Sequence, residues 1–381
     1  MSQLWYVSNA NAEKEWKPDR VLAEQLINLP EKEIEQAFSK IVPEQEKTDY
    51  ALLIAWRQIF KIREYSKAKI FLKMAENQLS NQMTRHNDWS TLHMLHMTLA
   101  KYKRNFKNVI LRGKETLKHM DAQGVKSIGR YAYILEAMSW AYYTLGDYQK
   151  SLNSSLKIVE KAKSSGDEKE EANALFGAAE SYYKLSKLKE AEKAADRAYG
   201  LYEKLGDTRG LGHTKKVLGS IHNAKGNLDK AKQSYYIAIR HYQKVRDHHG
   251  VANCMYNLGY LHKKTKDYGE AALSFEDAAF HYIKSGSTGG VGMAKMELGK
   301  IQELLNSIDQ AELLYADARS LLTKSNSMDR MAQLETYYAD LYIKQGRKRQ
   351  AKDSYIRALK IYREANNQRK VTRIEKLINK L

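Results

Sequence analysis

Small and apolar positions recur with a single period along most of this chain. Ser151, Ala191, Ala231, Ala271, Ala311 and Ala351 each lie forty residues after the last. A parallel series, Ser139, Ala179, Gly219, Gly259, Gly299 and Ala339, runs twelve residues upstream of the first. Between them sit short turns: Gly146-Asp147-Tyr148, Ser186-Lys187-Leu188, Gly226-Asn227-Leu228, Lys266-Asp267-Tyr268 and Gly346-Arg347-Lys348. Two helices that cross closely need narrow side chains at the crossing. The pattern therefore predicts a helix-turn-helix unit repeated between Tyr131 and Asn367. An aromatic and another small residue follow in the second helix, as in Phe275 and Ala278 or Tyr355 and Ala358.

That order of small, aromatic and turn residues is the tetratricopeptide pattern. It predicts an all-α fold, a right-handed tetratricopeptide-repeat superhelix preceded by a small N-terminal helical bundle. Pro18, Pro30 and Pro43 are the only prolines, so nothing after residue 43 carries the strongest helix breaker. Each proline opens a predicted helix, about 18–28, 31–41 and 44–62, with acids in the first turn. Val21, Leu22, Leu26 and Ile27 form the apolar face of the first, and Ile34, Ala37, Phe38 and Ile41 that of the second. Residues 50–79, with Trp56, Tyr65, Ala68 and Ala75, resemble a degenerate repeat, and a second runs from about 90 to 120. The polar stretch 80–89 between them has no helical period and is the expected linker. Gln368 to Leu381 is an amphipathic cap, with Val371, Ile374, Leu377 and Ile378 on one side. The expected domains are a bundle at 1–79, a linker at 80–89, and a repeat domain at 90–381 ending in the capping helix.

Composition sharpens the picture. With 43% hydrophobic and 29% charged residues the chain is that of a folded helical protein. No run approaches the roughly 18 apolar residues a membrane span needs, and Met1-Ser2-Gln3-Leu4-Trp5 lacks the regions of a signal peptide. A cytoplasmic location is expected, without membrane partners. A formal charge of +19 would attract nucleic acid, anionic membrane or an acidic protein, and charge alone does not choose among them. The densest basic run, Lys344 to Lys352, falls on a repeat turn, which favours a solvated turn over a nucleic-acid patch. Cys254, the lone cysteine, sits inside a repeat helix and reads as a small buried hydrophobe.

Cofactor and metal motifs are absent from the sequence, and none is expected. His93 and His96 could share a helix face, but no Cys or carboxylate joins them at metal spacing. His248-His249 belongs to an inter-repeat loop. Gly286, Gly289 and Gly290 imitate a phosphate loop, yet no strand precedes them, so a flexible turn is expected.

Stacked repeats line a concave surface with their first helices. Helical spacing places there Asn173, Phe176 and Glu180, then Lys216 and Asn223, then Asn253, Tyr256, Asn257, Tyr260 and Lys263, then Lys300. A carboxamide both donates and accepts, so recurring Asn can clamp the backbone of an extended peptide. Aromatics would hold its apolar side chains, and Lys216, Lys263 and Lys300 could take a carboxylate. The other reading is a wet inner face filled with polar residues.

A bundle of about seventy residues followed by forty-residue repeats resembles the Rap family of Gram-positive bacteria. Its N-E-W-Y motif is similar to Lys14-Glu15-Trp16-Lys17, its E-E-D-Q to Val42-Pro43-Glu44-Gln45, its F-R-H to Trp56-Arg57-Gln58, and its Y-N-I-G to Tyr256-Asn257-Leu258-Gly259. Lys17, Pro43 and Gln58 depart from the pattern. The resemblance implies a cytoplasmic regulator whose repeats bind a short signalling peptide. It also implies a bundle that binds a response regulator, hydrolysing its aspartyl phosphate or blocking its DNA binding. Gln45 would then orient a water in line with the phosphorus. Near the start of its helix, Gln45 could equally serve as a helix-start hydrogen-bonding residue. Two rivals remain open: a DNA-binding peptide receptor, and a scaffold that only joins proteins.

Overall fold

The computed structural model describes residues 20–43, 46–80, 82, 84–124, 128–365 and 367–381. These are helical throughout, with no strand among them. The chain divides into two compact units, Met1–Leu201 and Tyr202–Leu381.

The first unit opens with helices α1 (Arg20–Ile27), α2 (Glu31–Ile41) and α3 (Lys47–Arg57). Pro30 stands immediately before α2, as its spacing predicts, but α3 begins four residues after Pro43. There the N–H of Glu46 donates to the Pro43 carbonyl at 2.9 Å, closing a turn before the helix starts. A π-helical turn, Gln58–Ile62, extends α3 and ends at Arg63 in the left-handed region, φ 64°. Then come α4 (Tyr65–Leu79), α5 (His86–Tyr102), α6 (Phe106–Ala122), α7 (Ile128–Thr144), α8 (Tyr148–Ser165), α9 (Glu168–Lys184) and α10 (Leu188–Lys204). The stretch expected as a linker contributes its last four residues to α5. One apolar core also passes it, running from Leu26, Ile34 and Phe38 through Trp56 and Phe71 to Leu92, Leu95 and Leu99. The partly buried Trp89 packs against that core, which is how a polar stretch comes to end in a helix.

The second unit continues with α11 (Thr208–Ala224), α12 (Leu228–Lys244), α13 (His248–Lys264), α14 (Tyr268–Lys284), α15 (Thr288–Leu304) and α16 (Ile308–Lys324). It closes with α17 (Met328–Lys344), α18 (Lys348–Glu364) and α19 (Gln368–Ile378). Val371 and Ile374 of α19 are buried against Tyr355, Tyr362 and Leu359, so the amphipathic end does cap the last hairpin.

The period has a backbone signature as well as a side-chain one. Gly146, Gly166, Ser186, Gly206, Gly226, Arg246, Lys266, Gly286, Asn306, Asn326 and Gly346 all have positive φ, one every twenty residues. Each ends a helix in the left-handed conformation, and the next N–H reaches back five residues: Asp147 to Tyr142, Asn227 to His222 and Asp267 to His262, all at 2.9 Å. Asp147, Asp167, Asp207, Asp247 and Asp267 then cap the following helix by accepting from its third backbone N–H. The glycine-rich stretch near 289 belongs to this scheme. Gly286 makes the turn, while Gly290 begins α15 where a Cβ would lie 2.4 Å from the Tyr282 ring.

The two small-residue series meet as expected. Ala191, Ala231, Ala271, Ala311 and Ala351 have no exposed surface. Gly219, Gly259 and Gly299 each face an aromatic ring sixteen residues on: Tyr235, Phe275 and Tyr315. A Cβ on Gly259 would stand 2.7 Å from Phe275, so Gly259→Val should cost about 1–3 kcal/mol by overpacking. Gly200, inside α10 with nothing within 4 Å, is the control: Gly200→Ala should stabilise by about 0.5–1 kcal/mol. Urea melts of the two variants check both signs.

Candidate functional site

The first helices of the second unit, α11, α13, α15 and α17, form a row whose polar side chains reach from each helix to the next. Its centre is Glu297 on α15, which has no exposed surface. Its Oε1 accepts from the hydroxyls of Tyr260 and of Tyr337, the latter at 3.1 Å, and from Gln333 Nε2 at 3.3 Å. Its Oε2 pairs with Lys263. Arg330 Nη1 donates to Gln333 at 3.0 Å and brings a second positive charge close to this cluster. Burial, with the Glu297 charge beside it, pushes the Tyr256 phenol up to about 12 and raises Tyr260 and Tyr337 further. These hydroxyls therefore remain donors at any physiological pH.

Nearly two turns on, Glu303, 1% exposed, holds Lys300 and Lys344 at 3.0 Å and accepts from the Tyr315 hydroxyl at 2.9 Å. Lys300 also reaches Asp340 at 3.3 Å. Buried carboxylates need such partners, because an unpaired charge away from water costs several kcal/mol.

This wall sorts the residues singled out by sequence. Lys263 and Lys300, offered as receivers of a ligand carboxylate, are both held by carboxylates of the protein itself. Asn253 Oδ1 accepts from the Tyr282 hydroxyl at 2.7 Å, an internal duty that His213 performs for Tyr242 at 2.8 Å one repeat earlier. Burial and the nearby Lys216 charge pull His213 down to about 4, so its ring is neutral there. Asn223 Oδ1 lies 3.4 Å from Lys264 Nζ. Tyr256 and Tyr260 pack edge-to-face on one another, 5.1 Å between centroids, and on Phe275. Asn257 and Lys216 are different. Both are partly exposed, and neither side chain is engaged in a hydrogen bond or ion pair among the described residues.

In the first unit, Asn173, Phe176 and Glu180 lie on α9, all partly exposed. Asn173 shares its helix position with Asn253, eighty residues on, whereas Asn223 and Asn257 occupy other positions of their helices. The asparagines therefore do not form one ladder. Near the start of α9, burial and the charges of Glu136 and Asp167 push the Glu170 carboxyl up to about 7.

Glu303, Arg330, Gln333, Tyr337 and Asp340 were missed by sequence reasoning. The forty-residue step could have found several, since Glu303, Tyr337 and Asp340 repeat the positions of Lys263, Glu297 and Lys300.

Gln45, with Trp16 and Glu44 of the same motifs, lies outside the described residues. Within Trp56-Arg57-Gln58, Trp56 and Gln58 are buried and only Arg57 is partly exposed. Cys254 has no exposed surface, and burial pushes its thiol up to about 12, consistent with a packing role. No described helix is long and apolar enough to cross a membrane.

Hairpins of this geometry define an all-α tetratricopeptide-repeat protein. Models described as tetratricopeptide repeat match residues 136–205, 213–279 and 338–364. Among solved structures, the apo form of RapI is similar over 96% of this chain and 97% of its own, at a TM-score of 0.67 and 14% identity. A Rap protein complexed with Competence and Sporulation Factor follows at 0.53 and 15% identity, covering 88% of this chain and 97% of its own. Aspartyl phosphate phosphatase F from Bacillus subtilis matches at 0.53 and 14%, covering 89% and 94%. The chain thus shares its fold with the Rap proteins. No curated protein matches it in sequence.

Removing the central carboxylate tests the wall. Glu297→Ala leaves Lys263 without its counter-charge and the Tyr260 and Tyr337 hydroxyls without their acceptor, and should cost about 3–5 kcal/mol in a urea melt. Glu297→Gln, which retains an acceptor for the tyrosines, should cost clearly less.

Proposed function

We propose that this protein is a peptide-responsive cytoplasmic regulator of the Rap type. Its repeat domain, residues 90–381, takes a short signalling peptide on the face of its first helices. Its N-terminal bundle, residues 1–79, engages a response regulator, dephosphorylating it or blocking its DNA binding. The observation that carries the peptide half is the uncommitted carboxamide of Asn257. On a wall where Asn253, Lys263 and Lys300 are already occupied, Asn257 keeps a donor and an acceptor available. Those are the two groups that an extended peptide backbone needs satisfied. Tyr260, partly exposed, flanks it with apolar surface and rests on the buried Tyr256, and Lys216 supplies a positive charge without a partner among the described residues on the preceding first helix. Asn223 belongs to the same proposed set, and Asn173, Phe176 and Glu180 are the peptide-binding residues proposed for the first unit. The Rap-like fold supports the same reading, as does the match of Tyr256-Asn257-Leu258-Gly259 to the family motif. Peptide switches the bundle only through a difference in affinity between two arrangements of the chain.

Calorimetric titration with a pentapeptide and hexapeptide library tests the peptide half. At least one sequence should bind saturably. Asn257→Ala should weaken it by about 1–3 kcal/mol while leaving the ligand-free melting temperature unchanged. A library without a binder, or a binder indifferent to Asn257→Ala, sinks this half.

For the other half, Gln45 positions the attacking water and supplies no covalent step. Mixed with a phosphorylated response regulator, the wild type should speed phosphate release, and Gln45→Ala should lose roughly a hundredfold of that rate. Equal release by both would leave Gln45 with no catalytic part.

A further inference from the structure

The hairpin α5–α6 gathers a set of metal-ligating side chains that plays no part in the function proposed above. His93 on α5 and Glu115 and His119 on α6 each offer a ligand atom, and the three atoms lie within 4.8 Å of one another. A third imidazole lies beside that set of three without belonging to it: His86 Nδ1 stands 3.1 Å from His119 Nδ1. Helical spacing explains the convergence. His86 and His93 are two turns apart on one face of α5, and Glu115 and His119 one turn apart on the facing side of α6. Trp89 stacks on both His93 and His119, at 5.5 and 5.9 Å between centroids, and holds their planes. His93 and His119 are 5% and 8% exposed.

We propose that His93, Glu115 and His119 bind a divalent late transition metal of the Zn2+ class. Two imidazoles and one carboxylate suit Zn2+ far better than Mg2+ or Ca2+, which take all-oxygen shells. Arg112 opposes the ion. Its Nη1 lies 3.0 Å from His93 Nδ1 and 3.8 Å from Glu76 Oε1. A guanidinium beside His93 repels a cation, and Glu76 is the carboxylate that can draw it away. The bound ion ties the middle of α5 to the last turns of α6. Because α5 also carries Leu92, Leu95 and Leu99 of the bundle core, the ion stiffens the support of the N-terminal helices.

The test uses the untagged full chain after chelation, titrated with ZnCl2 by calorimetry and with CoCl2 by visible absorption. Expected are one ion per chain, intense tetrahedral Co2+ bands, and a melting temperature that climbs with Zn2+ concentration. Glu115→Gln, at a partly exposed position, should weaken Zn2+ by about tenfold or more with the metal-free melt unchanged. His119→Ala should abolish the site, while Arg112→Gln should tighten it, an effect that random surface binding does not produce. His281→Ala removes the other close pair, His248 and His281 at 3.2 Å, and should leave the titration as it was. The proposal is overturned by any of three results: no saturable binding, binding indifferent to Glu115→Gln and Arg112→Gln, or binding lost with His281→Ala. Should His119→Ala fail to fold, the Glu115 and Arg112 variants decide alone.

Discussion

The structure depends on how closely the two helices of each hairpin approach. Where Tyr235, Phe275 and Tyr315 press a ring flat against the first helix, the facing residue is glycine, because a Cβ would fall within 2.6–2.7 Å of the ring. Where that position holds a small residue instead, the same gap closes differently. Ser139, Ser151, Ser155 and Ser181 are buried and hydrogen-bond to one another at 2.9–3.0 Å, so hydroxyls fill a crossing that rings fill elsewhere. The spacing survives this exchange because it belongs to the backbone, with a left-handed residue every twenty positions.

Geometry of this kind settles what remains for function. Each helix spends its apolar face on its neighbours, so polar side chains collect on the remaining face of the first helices. Carboxylates buried there, Glu297 and Glu303, must recruit cations and hydroxyls from the next helix, and they take Lys263, Lys300 and Lys344. A wall built this way ties successive repeats together by charge as well as by packing. Its binding capacity is what those ties leave over, which makes an idle Asn257 or Lys216 more informative than any of the paired lysines.

The same distinction explains what was legible in the sequence. Helices, turns and crossings could be read because each signal is local and repeats at one spacing, so a weak instance such as Ser186-Lys187-Leu188 is carried by the others. The site was legible only in part. Spacing places Lys263, Asn253 and Glu297 on the right face of their helices, but it does not say that Glu297 takes Lys263 as its partner or that Tyr282 reaches across the hairpin. His93 makes the point most sharply. Its neighbour at the sequence spacing, His96, is not among its close ligand partners, while His119 and Glu115 approach from the other helix, more than twenty residues away. The stretch 80–89 was judged by its polarity, which is silent about a single Trp89 anchoring the start of α5.

That anchor bears on how the bundle can respond at all. Trp56 and Gln58, two of the three residues that resemble the last family motif of the bundle, are buried. Gln58 opens the π-helical turn, and its amide nitrogen and oxygen find no hydrogen-bond partner among the described residues. A buried, unsatisfied amide costs about 1–3 kcal/mol, so that turn is held by its surroundings against an intrinsic penalty. Those surroundings are the core running from Leu26 to Leu99, to which α5 contributes three leucines. A change in the tilt of α5 is therefore felt by the packing beneath α3, because Leu92, Leu95 and Leu99 share one core with Trp56 and Ile59.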